Sequence, residues 1–257
     1  MEQQISYNFK GFTVLITGAA SGMGEATARM FAEAGASVML ADRNEPRLKS
    51  LTDRLSGNGC KVACTVCDVT DEAQVKAMVD KTVGAFGKLD AAYNNAGVMC
   101  AYQNTSTIGT EEFDRTIGVN LIGIWLCMKY ELPYMEEQGH GAIVNVSSIG
   151  GLASVPGRAP YIASKHGIIG LTRTAALEYA DKGIRVNAVC PGTIDTPMVE
   201  EMVQTKSIVL EDTLSVTPMK RLGTAEEIAS AVLWLCSSAS SYVTGHALAV
   251  DGGYLAM

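Results

Sequence analysis

Hydrophobic residues occur along the chain in short, unbroken runs, separated by longer segments with helical periodicity. The runs are rich in β-branched residues and lie at 12–17, 37–41, 61–67, 89–93, 142–146, 184–189 and 248–250. Apolar runs of this length are typical of strands buried on both faces of a parallel sheet. The pattern therefore predicts about seven strands.

The segments between the runs predict helices, because their apolar residues recur at helical spacing. The helices are expected at 25–34, 45–55, 71–86, about 111–137, around Tyr161 and Lys165, and at 224–235. We expect a loop at 98–110 and an irregular or loosely helical stretch at 193–223. Strands and helices alternate without a linker or repeat. This favours a single α/β domain over residues 1–257, a doubly wound parallel sheet with helices on both faces.

Six of the predicted strands are followed by a glycine, a proline or a polar residue. The carboxyl ends of parallel strands meet at one edge of the sheet, and ligands bind there. These residues, far apart in sequence, are therefore expected to line one site. They are Gly18, Asp42, Asp68, Asn95, Ser148 and Pro191.

A glycine-rich turn connects the first strand to the first helix. Its glycines follow the spacing G-x-x-x-G-x-G, and the candidate cofactor-binding residues are Gly18, Ser21, Gly22, Met23 and Gly24. Glycines allow the backbone to approach a pyrophosphate, whose charge the helix N-terminus favours. A turn of this kind can also be an ordinary loop, but the flanking strand and helix favour a dinucleotide site.

Two acidic residues at strand ends are candidates for the adenosine end of that site. Asp42 lies 18 residues after Gly24, near the interval at which a carboxylate meets the adenosine ribose. It would accept hydrogen bonds from the 2′-hydroxyl and repel a 2′-phosphate, which favours NAD over NADP. Arg43 leaves the choice open, because a guanidinium can pair with that phosphate. Asp68 either caps the helix that starts near Asp71 or contacts the adenine amino group.

Tyr161 and Lys165 are four residues apart, so both project from one face of a helix. An ordinary tyrosine has a pKa of about 10, and a neighbouring positive charge lowers that pKa. Such a tyrosine can pass a proton to or from a substrate oxygen. Ser148 can be a turn hydroxyl or an oxyanion donor. Asn120, within an apolar stretch, can be a helix-kink residue or a buried polar group with a role in the site.

The composition excludes several classes of partner. The chain of 257 residues has a net charge of −7 and a pI of about 5.0, which disfavours nucleic acid and anionic membranes as partners. No apolar run approaches the roughly 18 residues of a membrane span, and residues 1–4 lack the shape of a signal peptide. Seven scattered cysteines and three distant histidines suggest buried free thiols, no metal site and a cytoplasmic location.

Together these motifs resemble the short-chain dehydrogenase/reductase family over nearly the whole chain. The glycine turn that begins at Thr17 resembles the cofactor turn of that family, and residues 94–97 resemble its strand-four motif. The 13-residue step from Ser148 to Tyr161 favours Ser148 over Ser147 as the family's serine. Residues 191–196 resemble its nicotinamide segment. The residues that resemble its catalytic tetrad are Asn120, Ser148, Tyr161 and Lys165.

The resemblance implies a Rossmann-like fold, usually a homotetramer, and a role for each matching residue. Tyr161 would be the acid/base, Lys165 would lower its pKa and hold the nicotinamide ribose, and Ser148 would hydrogen-bond the substrate oxygen. Asn120 would hold a water that links Lys165 to solvent. Thr196 and the backbone of Ile194 would bind the carboxamide. The remaining cofactor-binding residues would be Val69, Asn95, Ala96, Gly97, Pro191 and Gly192.

The expected function is hydride transfer between NAD and a secondary alcohol or its ketone. Three variable segments, 98–110, 149–160 and 193–217, would enclose the substrate. Their apolar residues favour a bulky hydrophobic or cyclic substrate, or else pack as core and lid. These residues are Met99, Tyr102, Leu152, Val155, Met198, Met202, Ile208 and Leu210.

Two other functions remain open. One is an NADPH-dependent ketoreductase of the 3-oxoacyl-carrier-protein type, for which Lys220 and Arg221 offer a thin basic docking patch. The other is a redox-sensing or structural protein that binds a dinucleotide without turnover.

Overall fold

The computed structural model describes residues 6–257 and contains one sheet of seven parallel strands. Residues 1–4, to which the signal-peptide prediction refers, lie outside the described residues. The strands are β1 (Thr13–Thr17), β2 (Ser37–Asp42), β3 (Val62–Val66), β4 (Ala91–Asn94), β5 (Gly141–Val146), β6 (Ile184–Pro191) and β7 (Ala247–Val250). Their order across the sheet is β3-β2-β1-β4-β5-β6-β7. The predicted doubly wound fold is confirmed.

Nine α-helices within the described residues connect the strands. They are α1 (Gly22–Glu33), α2 (Glu45–Gly57), α3 (Glu72–Phe86), α4 (Thr110–Ile117), α5 (Gly123–Gln138), α6 (Ala159–Tyr179), α7 (Pro197–Gln204), α8 (Leu210–Ser215) and α9 (Ala225–Cys236). The capping box of α9 satisfies two donors reciprocally: Thr224 accepts from the Glu227 amide and the Glu227 carboxylate accepts from the Thr224 amide.

Two hydrophobic cores lie on opposite faces of the sheet. Helices α1, α2 and α9 cover one face, and α3, α5 and α6 cover the other. Strand β1 shows why the apolar runs are continuous: Val14 and Ile16 enter the first core, and Leu15 enters the second. Each fully buried side chain of this size stabilises the fold by about 1.5–3 kcal/mol. Strands with both faces buried leave only their ends free for polar function.

The single helix predicted at about 111–137 is divided into two. A π-helical turn, Gly118–Ile122, separates α4 from α5 and holds Asn120. The first helix begins at Gly22 rather than at residue 25, so Gly24 belongs to its first turn. The stretch at 193–223, expected to be irregular or loosely helical, contains the short helices α7 and α8.

The cysteines of the described residues are unpaired and differ in exposure. All seven cysteines are free; Cys60 and Cys64 are partly exposed rather than buried, and they contact the first core, whereas Cys67 lies in the second. Within residues 6–257, no group of three or more His, Cys, Asp or Glu side chains is arranged to hold a metal ion. Over the same range, no helix is both long and apolar enough to cross a membrane.

Candidate active site

A cleft of about 560 Å³ runs along the carboxyl edge of the sheet and collects nearly all of the predicted site residues. Gly24 and Asn120 are the two that do not line it. The predicted residues that do line it are Gly18, Ser21, Gly22, Met23, Asp42, Arg43, Asp68, Val69, Asn95, Ala96, Gly97, Ser148, Tyr161, Lys165, Pro191, Gly192, Ile194 and Thr196. The strand-end rule therefore predicted where this cleft lies.

The glycine turn after β1 forms a concave backbone surface, the cradle, which side chains at its glycine positions would obstruct. Gly18 has φ +63°, and a Cβ there would come within 2.8 Å of the side-chain Nδ2 of Asn95. A Cβ at Gly24 would overlap the carbonyl oxygen of Gly18. Gly24 therefore does not line the cleft but allows α1 to pack closely against the turn. A Cβ at Gly22, which has φ +55°, would lie 3.3 Å from the methyl carbon of Thr196. Bare backbone at the start of α1 fits a pyrophosphate.

Asn95 fastens β4 to this cradle. Its Nδ2 donates to the main-chain oxygens of Thr17 at 3.0 Å and Gly18 at 3.1 Å. The amides of Asn95 and Ala96 both donate to the Thr17 hydroxyl oxygen, at 3.0 Å and 3.2 Å. Four hydrogen bonds thus hold the ends of two neighbouring strands in one geometry, which keeps the cradle rigid.

Asp42 lies at the end of β2 beside the cradle. One carboxylate oxygen accepts from the Ala20 amide at 3.0 Å, and the other accepts from the Asn44 amide at 2.8 Å. Exposed Arg43 also lines the cleft, and so does Arg47, which the sequence analysis missed. The Asn44 side chain caps α2 by accepting from the Arg47 amide at 3.2 Å. Arg47 lies three residues after this cap, in the first turn of α2, and that spacing is the local signal that was available.

Asp68 does not cap the helix that follows it. Asp71 is the cap of α3, and its carboxylate accepts from the amides of Ala73 and Gln74. The Asp68 carboxylate instead accepts from the amide and hydroxyl of Thr70, at 2.9 Å and 2.7 Å. Of the two sequence-based readings of Asp68, the cap is therefore wrong, and Asp68 remains at the cleft.

The adjacent residues Ser147 and Ser148 have different surroundings. Buried Ser147 donates its hydroxyl to the main-chain oxygen of Lys165 at 2.8 Å. Ser148 is only partly buried, and its Oγ accepts from the Gly150 amide at 3.0 Å. An Oγ that accepts this bond keeps its own proton available for another acceptor. The geometry therefore agrees with the choice of Ser148 over Ser147.

The pKa of Tyr161 departs from the sequence-based expectation. Burial raises this pKa above its ordinary value, while the Ser148 hydroxyl and the charge of Arg158 oppose the rise. Lys165 lies with its Nζ 5.5 Å from the centre of the tyrosine ring. The expected net lowering is thus wrong for the protein's own side chains, because burial outweighs their effect.

Lys165 is a buried ammonium, 4% exposed, whose Nζ donates to the Val146 main-chain oxygen at 2.9 Å. Burial lowers its pKa to about 8. Neutralisation is favoured because a charge in the interior loses its hydration. The fold therefore holds Lys165 at the base of the cleft at an energetic cost, which is typical of a functional group.

Asn120 occupies the π-helical turn behind the cleft and is fully buried. Its Oδ1 accepts from the Val98 amide at 2.8 Å, and its Nδ2 donates to the Val98 carbonyl at 2.9 Å and to Ser164 Oγ at 3.3 Å. A Cβ at Gly97 would lie 3.3 Å from Asn120 Oδ1 and 3.8 Å from Lys165 Nζ. Asn120 thus ties the chain after β4 to α6, close to the lysine.

Thr196 and Ile194 line the cleft after β6, opposite the glycine cradle. The Thr196 hydroxyl donates to the Ile194 carbonyl at 3.2 Å, and Thr196 is the residue before α7. The methyl group of Thr196 approaches Gly22, so this segment and the glycine cradle face each other across the cleft.

The substrate side of the cleft is largely apolar. Of the predicted wall residues, Met99, Val155, Met198, Met202 and Ile208 line it. The other three, Tyr102, Leu152 and Leu210, are exposed and do not. The wall residues missed from the sequence are Val98, Ile149, Ala153, Arg158, Ile162, Val199, Thr213, Val216 and Tyr254. Most of them lie in the three predicted segments, where only tertiary packing decides which side chains face inward.

Known proteins match the chain over nearly its whole length. A family model described as enoyl-(acyl carrier protein) reductase matches residues 18–255. Cyclohexanol dehydrogenase of Acinetobacter sp. (strain SE19) is 41% identical over 254 residues, 99% of this chain and 99% of that protein. A 3-oxoacyl-(acyl-carrier-protein) reductase of Thermotoga maritima is 43% identical over 244 residues, 95% of this chain and 98% of that protein.

Solved structures give the same result. The crystal structure of levodione reductase matches with a TM-score of 0.93 and 40% sequence identity, covering 97% of this chain and 99% of that chain. Actinorhodin polyketide ketoreductase with NADPH matches with a TM-score of 0.91 and 34% identity, covering 95% and 97%. The chain belongs to the short-chain dehydrogenase/reductase family and is an oxidoreductase that uses a nicotinamide dinucleotide.

Proposed function

We propose that this protein transfers a hydride between NAD(H) and a secondary alcohol or its ketone, with a hydrophobic or cyclic substrate. The observation that supports this most directly is the convergence of Ser148, Tyr161 and Lys165 on a cleft with a glycine cradle at one end and an apolar wall at the other. The similarity to a cyclohexanol dehydrogenase favours a cyclic alcohol among the candidates.

Tyr161 is the proton carrier in this proposal. When bound, the nicotinamide supplies the hydride donor or acceptor and, in its oxidised form, a positive charge that lowers the pKa of a nearby phenol. Tyr161 Oη gives a proton to the carbonyl oxygen in the reducing direction and takes it from the hydroxyl in the oxidising direction. Ser148 donates to the same oxygen and stabilises the charge that develops on it.

Lys165 and Asn120 support this proton carrier. Lys165, with a pKa of about 8, holds a proton near neutral pH and places positive charge within one helical turn of Tyr161. Asn120 holds the Val98 backbone by two hydrogen bonds and borders the lysine through Gly97. This arrangement fits a role for Asn120 in ordering a water that connects Lys165 with solvent.

We assign NAD as the cofactor on the position of Asp42. Its carboxylate is fixed by two backbone amides beside the cradle, where it would accept from a ribose hydroxyl and repel a 2′-phosphate. Arg43 and Arg47 line the same end of the cleft and work in the opposite direction. The remaining cofactor contacts come from the backbone and side chains that line the cleft after β3, β4 and β6.

The 3-oxoacyl-type ketoreductase is the second candidate, and the Thermotoga relative favours it. Its docking patch is weakened by the structure. Arg221 forms an ion pair with Glu227 at 2.6 Å, and Lys220 donates to the Ser215 carbonyl at 2.6 Å. Glu227 thus offsets part of the charge of Arg221, whereas Lys220 keeps its charge; the thinner basic patch favours a small free alcohol over a substrate carried by an acidic protein.

We also propose a cytoplasmic homotetramer that needs neither nucleic acid nor a membrane. Exposed apolar residues on α4, on the π-helical turn, on α5 and on α6 support an assembly through these helices. They are Phe113, Ile122, Trp125 and Leu177. Light scattering coupled to gel filtration would measure the mass, and a monomer would contradict the assembly.

The function is tested by following the formation of reduced nicotinamide by its absorbance, with a panel of cyclic, steroidal and acyl substrates and with both cofactors. We expect turnover of cyclic secondary alcohols with NAD and its loss by about 10²–10⁴-fold in Tyr161→Phe, because the proton carrier is gone. Cofactor binding, measured by calorimetry, should survive in this variant. Turnover within tenfold of the parent would contradict the role of Tyr161.

A further inference from the structure

Arg158 is a buried cation to which the proposed chemistry assigns no proton transfer, although it lines the cleft and its charge opposes the rise in the pKa of Tyr161. It lies directly before α6, three residues from Tyr161, and only 5% of it is exposed. The ion pairs formed within residues 6–257 do not include it. Burying a guanidinium without a carboxylate partner is costly, so other hydrogen bonds must compensate for its lost hydration.

Arg158 binds two carbonyl oxygens from different parts of the chain. Its Nη1 donates to the Cys100 oxygen at 2.6 Å, and its Nη2 donates to the Ser207 oxygen at 3.2 Å. Cys100 belongs to the loop between β4 and α4, and Ser207 belongs to the connector between α7 and α8. One planar, preorganised group therefore joins both segments to the start of α6.

The loop after β4 is fastened at a second point beside Arg158. The Tyr102 ring lies 5.3 Å from the guanidinium carbon, and the Gln103 amide donates to the Gly157 carbonyl at 3.0 Å. Gly157 has φ +76°, and a Cβ there would lie only 2.6 Å from the Tyr102 ring. The contact thus requires glycine at 157 and gives Tyr102, which does not line the cleft, a role in packing.

The two carbonyls that Arg158 holds lie next to walls of the cleft. Met99 precedes Cys100, and Ile208 follows Ser207; both side chains line the substrate side. The connector itself turns sharply, with Lys206 at φ +55° and the Ser207 amide bonded to the Met202 carbonyl at 2.8 Å. A fixed Ser207 carbonyl therefore fixes the backbone from which Ile208 projects.

We propose that Arg158 is a positioning residue that holds Met99 and Ile208 at a set distance from Tyr161 and thereby limits the size of substrate that the cleft accepts. Arg158 also lines the cleft, but in this role it acts through the backbone next to Met99 and Ile208. The kinetic part of this inference rests on the proposed function, whereas the mechanical part, the joining of three segments, does not.

The mechanical part is tested by hydrogen–deuterium exchange of the full-length protein. In Arg158→Met, amides in 99–106 and 203–212 should exchange at least about tenfold faster, because opening of these segments no longer breaks two hydrogen bonds. Arg158→Lys, which keeps the charge and part of the donor capacity, should be intermediate. If Arg158→Met fails to fold, the lysine variant alone carries the test.

Arg115→Met is the matched control. Arg115 Nη2 donates to the Met99 carbonyl at 2.8 Å, so it holds the same loop but not the connector. Its replacement should speed exchange at 99–106 and leave 203–212 unchanged. Equal effects of the two variants on 203–212, or no effect of Arg158→Met there, would overturn the proposal.

The kinetic part is tested by a split between KM and kcat. For cyclohexanol, Arg158→Met should raise KM about tenfold and lower kcat less than about threefold, since a loosened wall weakens binding more than chemistry. For a bulkier alcohol such as 4-tert-butylcyclohexanol the rise in KM should be smaller. An active parent enzyme with unchanged size discrimination in the variant refutes the inference. An inactive parent enzyme refutes the proposed function, while exchange still decides the joining of the segments.

Discussion

The Nζ atom of Lys165 donates to the main-chain oxygen of Val146 at 2.9 Å, in the last position of β5. The sheet thereby provides a hydrogen-bond acceptor for a buried ammonium. Burial of this ammonium lowers the pKa of Lys165 to about 8. A single carbonyl compensates only part of the lost hydration. Stability and function are thus in conflict at this residue, and the conflict can be measured.

Replacing Lys165 with methionine should change the pH dependence of stability. Because the folded-state pKa of about 8 lies below the ordinary 10.5, the unfolded chain binds more protons between these values. The cost of burying the charge is therefore complete below pH 8 and disappears as the pH rises to about 10.5. The stability of Lys165→Met relative to the parent should be greatest at pH 7. Thermal unfolding at pH 7 and pH 10 measures this, and a constant difference would contradict it.

Ser147 and Ser148 provide a matched pair of neighbouring hydroxyls. Ser148→Ala should lower kcat by about 10²–10³-fold with little effect on unfolding, because it removes a donor to developing charge. Ser147→Ala removes the buried bond to the Lys165 carbonyl and should cost about 1–3 kcal/mol of stability. Its kcat should fall far less than that of Ser148→Ala. Steady-state kinetics and urea unfolding of both variants decide this, and the reverse order of kcat would refute the assignment.

Much of the fold and of the site was predictable because the signals were local. The end of each buried strand can be read from the apolar run, so the positions of Gly18, Asp42 and Asn95 followed from the parallel topology. The prediction of a catalytic tetrad rested on the spacing of Ser148 and Tyr161 together with the family resemblance, and it stays a prediction. These features depend on neighbours in the chain.

Other features depend on tertiary contacts and could not be predicted. The π-helical turn at Asn120 is held by Val98 and Ser164, which are distant in sequence. The raised pKa of Tyr161 reflects burial in the folded protein, whereas the sequence around Tyr161 shows only the nearby Lys165. Arg158 could not be identified from the sequence, because the carbonyls that it binds belong to two other segments.

Asp42 should control the choice between the two cofactors. Asp42→Asn keeps an acceptor for the Ala20 amide but removes the negative charge. Repulsion of a 2′-phosphate would be about 4 kcal/mol at 4 Å and an effective dielectric of 20, and less in this partly exposed site. We therefore expect the ratio of kcat/KM for NADP to that for NAD to rise about 10–100-fold.

Arg43→Ala is the control for this comparison, because it should lower the same ratio. Initial rates with both cofactors at one alcohol concentration provide the measurement. An Asp42→Asn ratio within about threefold of the parent would mean that the carboxylate does not face the ribose.

Glu131 on α5 is a fully buried carboxyl group, and its pKa is raised to about 8, mainly by burial. Its Oε2 accepts from Asn94 Nδ2 at 3.0 Å, while Oε1 has no partner among the described residues. The folded protein therefore binds a proton that the unfolded chain releases above pH 4.5. The free energy of unfolding should fall as the pH rises from about 4.5 to about 8, by at most about 1.4 kcal/mol for each pKa unit between the unfolded and folded states. Above pH 8 it should fall no further on account of Glu131.

Glu131→Gln should remove this loss, because glutamine is neutral at every pH and can still accept from Asn94. The variant should gain stability over the parent progressively from pH 5 to pH 8 and no further at pH 9. Urea unfolding at these three values measures the gain. Glu136→Gln, on the same helix but exposed and paired with Lys182 at 2.6 Å, serves as the control and should show no such trend. Parallel stability curves for Glu131→Gln and the parent would mean that Glu131 is ionised in the folded protein.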